Sequence, residues 1–458
     1  MNIKKNILRI FSANLLTMFS GILMGFVIPW ALSIENYSYL KTYTFYLTYV
    51  PLIHLGFVDG MYIKYGGKEL CDLSKSDFKL EHIVFTVIQV IMTIVFFIIA
   101  CLTKNIMIFL FSISIIPINT VSFYKMFYQA TGEFKKYANI SYIYTLIYLI
   151  TNVALAIIFK CENYLPYCIT IILANGIILL FLEWNFIIKF RKIEIKYDNR
   201  VWNNLKVGIF ILLGNLSVVM LYAIDRWFIK IFYTVDDFAY YSFAISMLNV
   251  INILVSALSV TFYNYLARGE DREKIIILKR YFIILGTFAS FGYFVLAGVV
   301  NLILKKYIPS LSIISISFSA YPYMIVINTL YVNLYKARKN EKKYLKVVFM
   351  ILLISIIYNT IAVLLSQKST AIAIATTLSF ITWYIYSSRD FGYLKSNKKE
   401  LIYLLGNLIV FLIAANYFSW FIGGVIYFMY VSLITFIIFK NEIISELSLI
   451  FKMKNNID

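Results

Sequence analysis

The sequence predicts an all-α, polytopic membrane protein of about fourteen transmembrane helices, arranged as two six-helix repeats forming facing lobes plus two extra C-terminal helices. Three observations predict it. Hydrophobic residues make up 61% of the 458 residues and charged residues only 14%, where a soluble domain carries about a quarter charged. Apolar runs of about 18–28 residues recur along the chain, each long enough to cross about 30 Å of hydrocarbon as a helix. A spanning barrel would alternate apolar and polar residues, and these runs do not alternate. Finally, one short basic loop is written twice. YQATGEFKKY (128–137) and YKARKNEKKY (335–344) match at five of ten positions, at an offset of 207.

The spans read in order as 7–33, 40–60, 82–102, 106–128, 138–159, 165–188, 207–232, 239–263, 281–304, 311–335, 347–366, 370–388, 401–418 and 422–439. The first follows Lys4, Lys5 and Arg9 as a secretory leader would. It is longer than a leader's apolar core and no small-x-small cleavage site precedes the next span, so it is expected to stay as a helix. Orientation follows from Lys and Arg. Of the 42 such residues, 32 fall in even-numbered gaps and termini, 5 in odd-numbered gaps and 5 within spans. Both termini of this multi-pass protein are therefore expected in the cytoplasm. The net charge of +19 is mostly this bias. It calls for no nucleic-acid partner and puts the basic face against anionic membrane lipids.

Several function classes fall away. No odd-numbered gap exceeds about eight residues, which leaves an outer-face glycosyltransferase, polymerase or ligase no room for acids, bases and acceptor contacts. The inner loops hold no P-loop, HExxH or Gly-rich phosphate cradle. No enzyme activity, cofactor or metal is expected. The four cysteines, Cys71, Cys101, Cys161 and Cys168, have no metal-ligand spacing and read as small buried residues, although Cys161 and Cys168 lie near one face.

The two basic loops join spans 4 and 5 and spans 10 and 11, each after a span carrying a proline (Pro117, Pro322) where a kink is expected. A second pair agrees. Asn14 and ENYSY (35–39) match Asn215 and DDFAY (236–240) at an offset of 201. Spans 1–6 and 7–12 thus read as two copies of one unit in the same orientation. The domains are 1–190, a cytoplasmic linker 191–206, a second lobe 207–388, and 389–458 with the two extra helices and a tail.

The chain resembles the polysaccharide flippases (Wzx-type O-antigen and capsule exporters) of the multidrug/oligosaccharidyl-lipid/polysaccharide exporter superfamily, over nearly its full length. The resemblance rests on AIDRWFIKIFYTVDDFAYYSFA (223–244), on LGFVDGMYIKYGGKE (55–69) and on the Tyr-x-Ala loop at Tyr128. It implies a flippase that moves undecaprenyl-diphosphate-linked oligosaccharide repeat units from the inner to the outer leaflet by alternating access, for surface polysaccharide. It also implies a polysaccharide polymerase machinery as a partner, and the chain itself is expected to act as a monomer. The rivals are a drug/cation antiporter of the same superfamily, which would want an acidic cavity, and a membrane glycan polymerase or ligase.

Candidate substrate-binding residues follow from polar groups at membrane depth. Asp225 and Arg226 lie six or seven residues before the end of span 7, about 9–10 Å deep, with Lys230 one turn beyond on Arg226's face. An acid at that depth faces a partner or a wet cavity, and guanidinium is suited to phosphate because its planar fork binds two oxygens. The pair reads either as a structural ion pair or as a cationic patch for a diphosphate or acidic sugar. Span 8 carries a polar stripe (Ser242, Ser246, Asn249, Ser256, Ser259, Tyr263) and span 1 a matching face (Asn14, Thr17, Gly21, Gly25), each suited to close packing or cavity lining. Asn215 is the repeat counterpart of Asn14. His54 in span 2 is either a packing residue or a proton carrier. Asp59 and Lys64 are either an interface pair or a headgroup entry site, and Lys125 with Gln129 reads as a snorkelling lysine and its neighbour.

Overall fold

A computed structural model of the chain describes residues 3–70, 73–268 and 271–440. Cys71, the tail 441–458 and the side chains of Ser256 and Tyr263 lie outside the described residues. Regular structure among the described residues is all helical, and contacts divide the chain into two compact units, Met1–Val219 and Met220–Asp458. The expected boundary ran through the loop 191–206.

The first unit comprises α1 (Ile3–Ala31), α2 (Ile34–Leu47), α3 (Phe57–Tyr65), α4 (Lys75–Thr103), α5 (Ile106–Ala130), α6 (Phe134–Val153), α7 (Tyr164–Phe190) and α8 (Asn203–Leu221). Its centre is α5, which packs against α2, α3, α4, α6 and α7. The core is aromatic, with Phe57, Phe78, Phe85, Phe123 and Phe127 all buried. On the flank, α1 packs on α6, and Thr17 there bonds Thr145 at 2.9 Å.

The second unit comprises α9 (Ile224–Phe232), α10 (Val235–Arg268), α11 (Arg272–Ser290), α12 (Gly292–Leu302), α13 (Leu311–Phe318), α14 (Tyr321–Val326), α15 (Val332–Ala337), α16 (Glu341–Leu365), α17 (Thr370–Asp390), α18 (Lys398–Tyr417) and α19 (Trp420–Ile438). The hairpin of α18 and α19 is locked to α11 and α12. Lys279 on α11, 1% exposed, donates to Glu400 at 2.7 Å, to the Leu394 carbonyl at 2.8 Å and to Ser396 at 3.1 Å. Tyr427 on α19 donates to the Thr287 carbonyl at 2.8 Å. A buried ammonium persists in such a place only when its protons are all used.

Among the described residues, eleven helices are long and apolar enough to cross a membrane, or twelve if the bent pair Lys305–Phe318 and Tyr321–Ala337 is one span. The count of fourteen is not reproduced. Span 2 is broken: α2 gives way to a 3-10 turn, Val50–His54, opened by Pro51, before α3. Leu55 and Gly56 between them take left-handed backbone, φ 54° and 83°. Span 8 is one helix of 34 residues, α10. Span 7, expected as one helix over 207–232, is two: α8 ends at Leu221 and α9 starts at Ile224. Of the two prolines, Pro322 sits at the start of α14 beside a 49° bend, while Pro117 lies inside an uninterrupted α5.

The repeated loops have the same backbone. Gly132 and Lys339, equivalent at the offset of 207, both have positive φ, 73° and 52°. The Glu133 amide donates to the Tyr128 carbonyl at 2.8 Å and the Asn340 amide to the Tyr335 carbonyl at 3.0 Å. This is the six-to-one bond of a Schellman helix stop, written twice. The matching helix starts agree as well. Ser33 accepts the Asn36 amide at 3.2 Å and Thr234 the Asp237 amide at 3.1 Å, both as N-caps, at the offset of 201.

Candidate substrate cavity

The break in span 7 builds the site. No proline or glycine occurs in Met220-Leu-Tyr-Ala223, yet the helix stops, and α9 starts with the Trp227 amide bonded to the Ala223 carbonyl at 3.2 Å. Asp225 falls in the first turn, where free amides and the helix dipole favour an anion. Its Oδ1 accepts the Arg226 amide at 2.7 Å. Its Oδ2 accepts the Tyr241 hydroxyl of α10 at 2.8 Å, and the carboxylate is 3% exposed. Both oxygens of the acid are thus engaged by its own unit.

Arg226 lines a cavity of about 180 Å³ within the second unit. The polar wall includes Tyr222, Tyr241, Asn249, Asn252, Ser317 and Thr377, and apolar groups such as Leu248, Met324 and Phe380 complete it. Tyr222 is fixed by donating to Asn328 at 2.8 Å, and Thr377 by donating to the Ile316 carbonyl at 3.2 Å. A guanidinium there can donate to an anionic group, while the surrounding amides and hydroxyls can give hydrogen bonds to sugar hydroxyls or accept them.

The other predicted residues fall elsewhere. Lys230 does not line this cavity; its ammonium lies 4.9 Å from the Phe238 ring centroid. The span 8 stripe divides: Asn249 lines the cavity, whereas Ser259 donates to the Asn328 carbonyl at 2.9 Å and serves packing. Asn14 and Asn215 are exposed, and a Cβ added to Gly21 would meet nothing within 4 Å. Lys125 sits over the Tyr137 ring, 4.9 Å from its centroid.

Asp59 and Lys64 are not a pair. Lys64 bonds Glu81 at 2.5 Å, and Glu81, 1% exposed, also accepts Tyr65 at 2.6 Å and Asn204 of α8 at 3.0 Å. Asp59 and Lys64 are five residues apart, about 140° around the helix, and α4 brings a deeper acid to the lysine. Asp59 instead lies 4.0 Å from His54, whose Nδ1 accepts the Gly56 amide at 3.1 Å. Glu81 was missed because it reads as an interfacial charge at the start of span 3. A cavity of about 280 Å³ adjoins it, with Asp198 and Arg200 on its wall. Hydrogen bonds from the Arg200 side chain and amide hold the Asp198 carboxyl below the usual carboxylate range.

Fold and cavity together define a multi-span helical membrane protein with a cationic, hydroxyl-lined recess in its second unit. Among solved structures the chain is similar to the lipid II flippase MurJ in its inward closed conformation. The TM-score is 0.64 at 15% identity, over 96% of this chain and 99% of that one. No protein-family model matches the sequence, and no curated protein matches it.

Proposed function

We propose that the chain is a flippase for undecaprenyl-diphosphate-linked oligosaccharide repeat units. It carries them from the inner to the outer leaflet by alternating access, in the service of surface polysaccharide such as O-antigen or capsule. The observation that carries the reading is Arg226 on the wall of a hydroxyl- and amide-lined cavity, in a chain whose fold matches that of a lipid II flippase along nearly its whole length. The second unit's cavity favours an anionic cargo over a cationic drug. Its one acid, Asp225, is committed to Tyr241 and to a backbone amide, whereas a cationic drug would want an accessible carboxylate there. Transport needs no covalent step. The sequence repeats serve as the two lobes, both termini face the cytoplasm, and a polysaccharide polymerase takes the product on the outer face.

Arg226→Ala is expected to abolish surface glycan while the membrane level of the protein holds. Arg226→Lys recovers only part, because a point charge replaces a bidentate fork. The measurement is surface glycan beside membrane protein level in cells that depend on this gene. Full export by Arg226→Ala at normal protein level overturns the reading.

A further inference from the structure

A second pocket, of about 250 Å³, lies in the first unit, where α4 begins and α5 and α7 end. Its floor is a stack of aromatic rings. Phe78 stacks on Phe127 with centroids 4.1 Å apart, and Phe186 on Phe190 at 4.7 Å. The floor is held from behind. His82 stacks on Phe186 at 3.9 Å and meets Glu183 at 2.8 Å, while the Tyr124 hydroxyl donates to the same Glu183 oxygen at 3.3 Å. The polar tips are thus satisfied inside the unit, and Phe78, Phe127, Phe186 and Phe190 are among the residues that line the pocket.

The rim is cationic. Lys75, Lys136 and Lys189 line it. Lys136 is engaged by Glu133 at 3.0 Å and lies 5.3 Å from the Tyr128 centroid. Lys75 and Lys189 make no ion pair among the described residues and are exposed. The outward neighbours on α7 are large and apolar: Trp184, Ile187 and Ile188 are 67%, 55% and 64% exposed. In a membrane-spanning helix such a face meets lipid tails, and Lys189 stands exposed at the end of the same helix, on the pocket's rim. Its lysines sit at the helix ends, where long cationic side chains reach headgroups.

We infer that this pocket binds an anionic phospholipid of the surrounding leaflet, with its phosphate between Lys75 and Lys189 and the upper part of one acyl chain on the Phe78, Phe127 and Phe190 rings. Charge complementarity selects an anionic over a zwitterionic head, because the rim carries an excess of ammonium groups. The aromatic floor selects a lipid over free phosphate. The inference does not depend on what the second unit's cavity carries.

The test uses the full-length protein purified in mild detergent. Its thermal unfolding is followed with added phosphatidylglycerol, phosphatidylcholine, undecaprenyl phosphate or inorganic phosphate. Phosphatidylglycerol is expected to stabilise the protein more than phosphatidylcholine at equal mole fraction, and inorganic phosphate to do nothing. In the Lys75→Gln/Lys189→Gln protein the apparent affinity for phosphatidylglycerol is expected to fall roughly thirty-fold, at about five-fold per lost lysine contact. A second arm needs no charge change. Phe190→Trp fluorescence should be quenched more by brominated-chain phosphatidylglycerol than by the brominated phosphatidylcholine. Equal effects of the two phospholipids, or an unchanged preference in the double variant, overturn the proposal. So does stabilisation by inorganic phosphate alone, and tighter binding of undecaprenyl phosphate assigns the pocket to the carrier lipid instead.

Discussion

Gly208 on α8 gives the sharpest test of how the first unit is held together. A Cβ built there would lie 1.7 Å from the Gly56 carbonyl oxygen and 2.8 Å from the Gly60 amide nitrogen. On the facing segment a Cβ on Gly60 would lie 2.0 Å from the Asn204 carbonyl oxygen. The two backbones touch, as small residues permit between membrane helices. In Gly208→Ala the facing atoms are main chain on both sides, so no rotamer change relieves the clash. The backbones must part by at least about 1.3 Å to restore a contact of 3.0 Å. That movement stretches the 3.0 Å bond from Asn204 to Glu81, a buried carboxylate. Overpacking costs about 1–3 kcal/mol and a hydrogen bond to a charged acceptor about 1.5–3 kcal/mol, so about 3 kcal/mol is expected. For a unit of 219 residues that lowers the unfolding midpoint by about 6–12 °C. The assay is thermal unfolding of the purified chain, with Gly21→Ala and Gly176→Ala as controls, since a Cβ at either meets nothing within 4 Å. A Gly208→Ala midpoint within about 2 °C of the parent would refute the close approach of α8.

Glu400→Gln leaves the buried Lys279 ammonium without its counter-charge and should cost about 3–5 kcal/mol, read as a lower midpoint; Lys279→Met with Glu400→Leu should recover most of it. Lys339→Gly relieves an exposed residue at φ 52°. The left-handed penalty of about 1–2 kcal/mol exceeds glycine's entropic cost of about 0.5–1 kcal/mol, so this variant should melt higher, and a lower midpoint argues against the helix stop. Cysteines placed at Lys339 and at Asp236 should label from opposite sides with a membrane-impermeant reagent, Asp236 from outside; outside labelling at Lys339 reverses the proposed orientation.

The matched loops were legible because their chemistry is local. Tyr, Ala and paired lysines recur in register, and the structure gives both copies one backbone path. Gly132 announces its left-handed turn; Lys339 does not, and only the register shows that it must share it. Asp225 and Arg226 were readable as costly charges in an apolar run, but their division of labour was not. It depends on a helix break with no proline or glycine to mark it and on Tyr241 arriving from α10. Asp59 and Lys64 read as an interface pair or a headgroup entry site because they are near in sequence, and an acid on another helix holds the lysine instead. Likewise Lys279 and Glu400 read as membrane-edge charges, because sequence spacing says nothing about partners more than a hundred residues apart.

The seam between the packed units does not coincide with the seam between the sequence copies. Residues 207–219 were expected in the second lobe, yet they belong to the first unit, with Gly208 closing on Gly56 and Gly60. A chain cut at the expected lobe boundary therefore yields two halves of which neither is a finished body. The first lacks the helix that fills its glycine groove, and the second starts with a helix whose packing partner is on the other polypeptide. Cutting the chain after Asp198 should give fragments that need co-expression to survive the membrane quality-control proteases. During biosynthesis the same handover means that the first half cannot close until the ribosome has already begun the second.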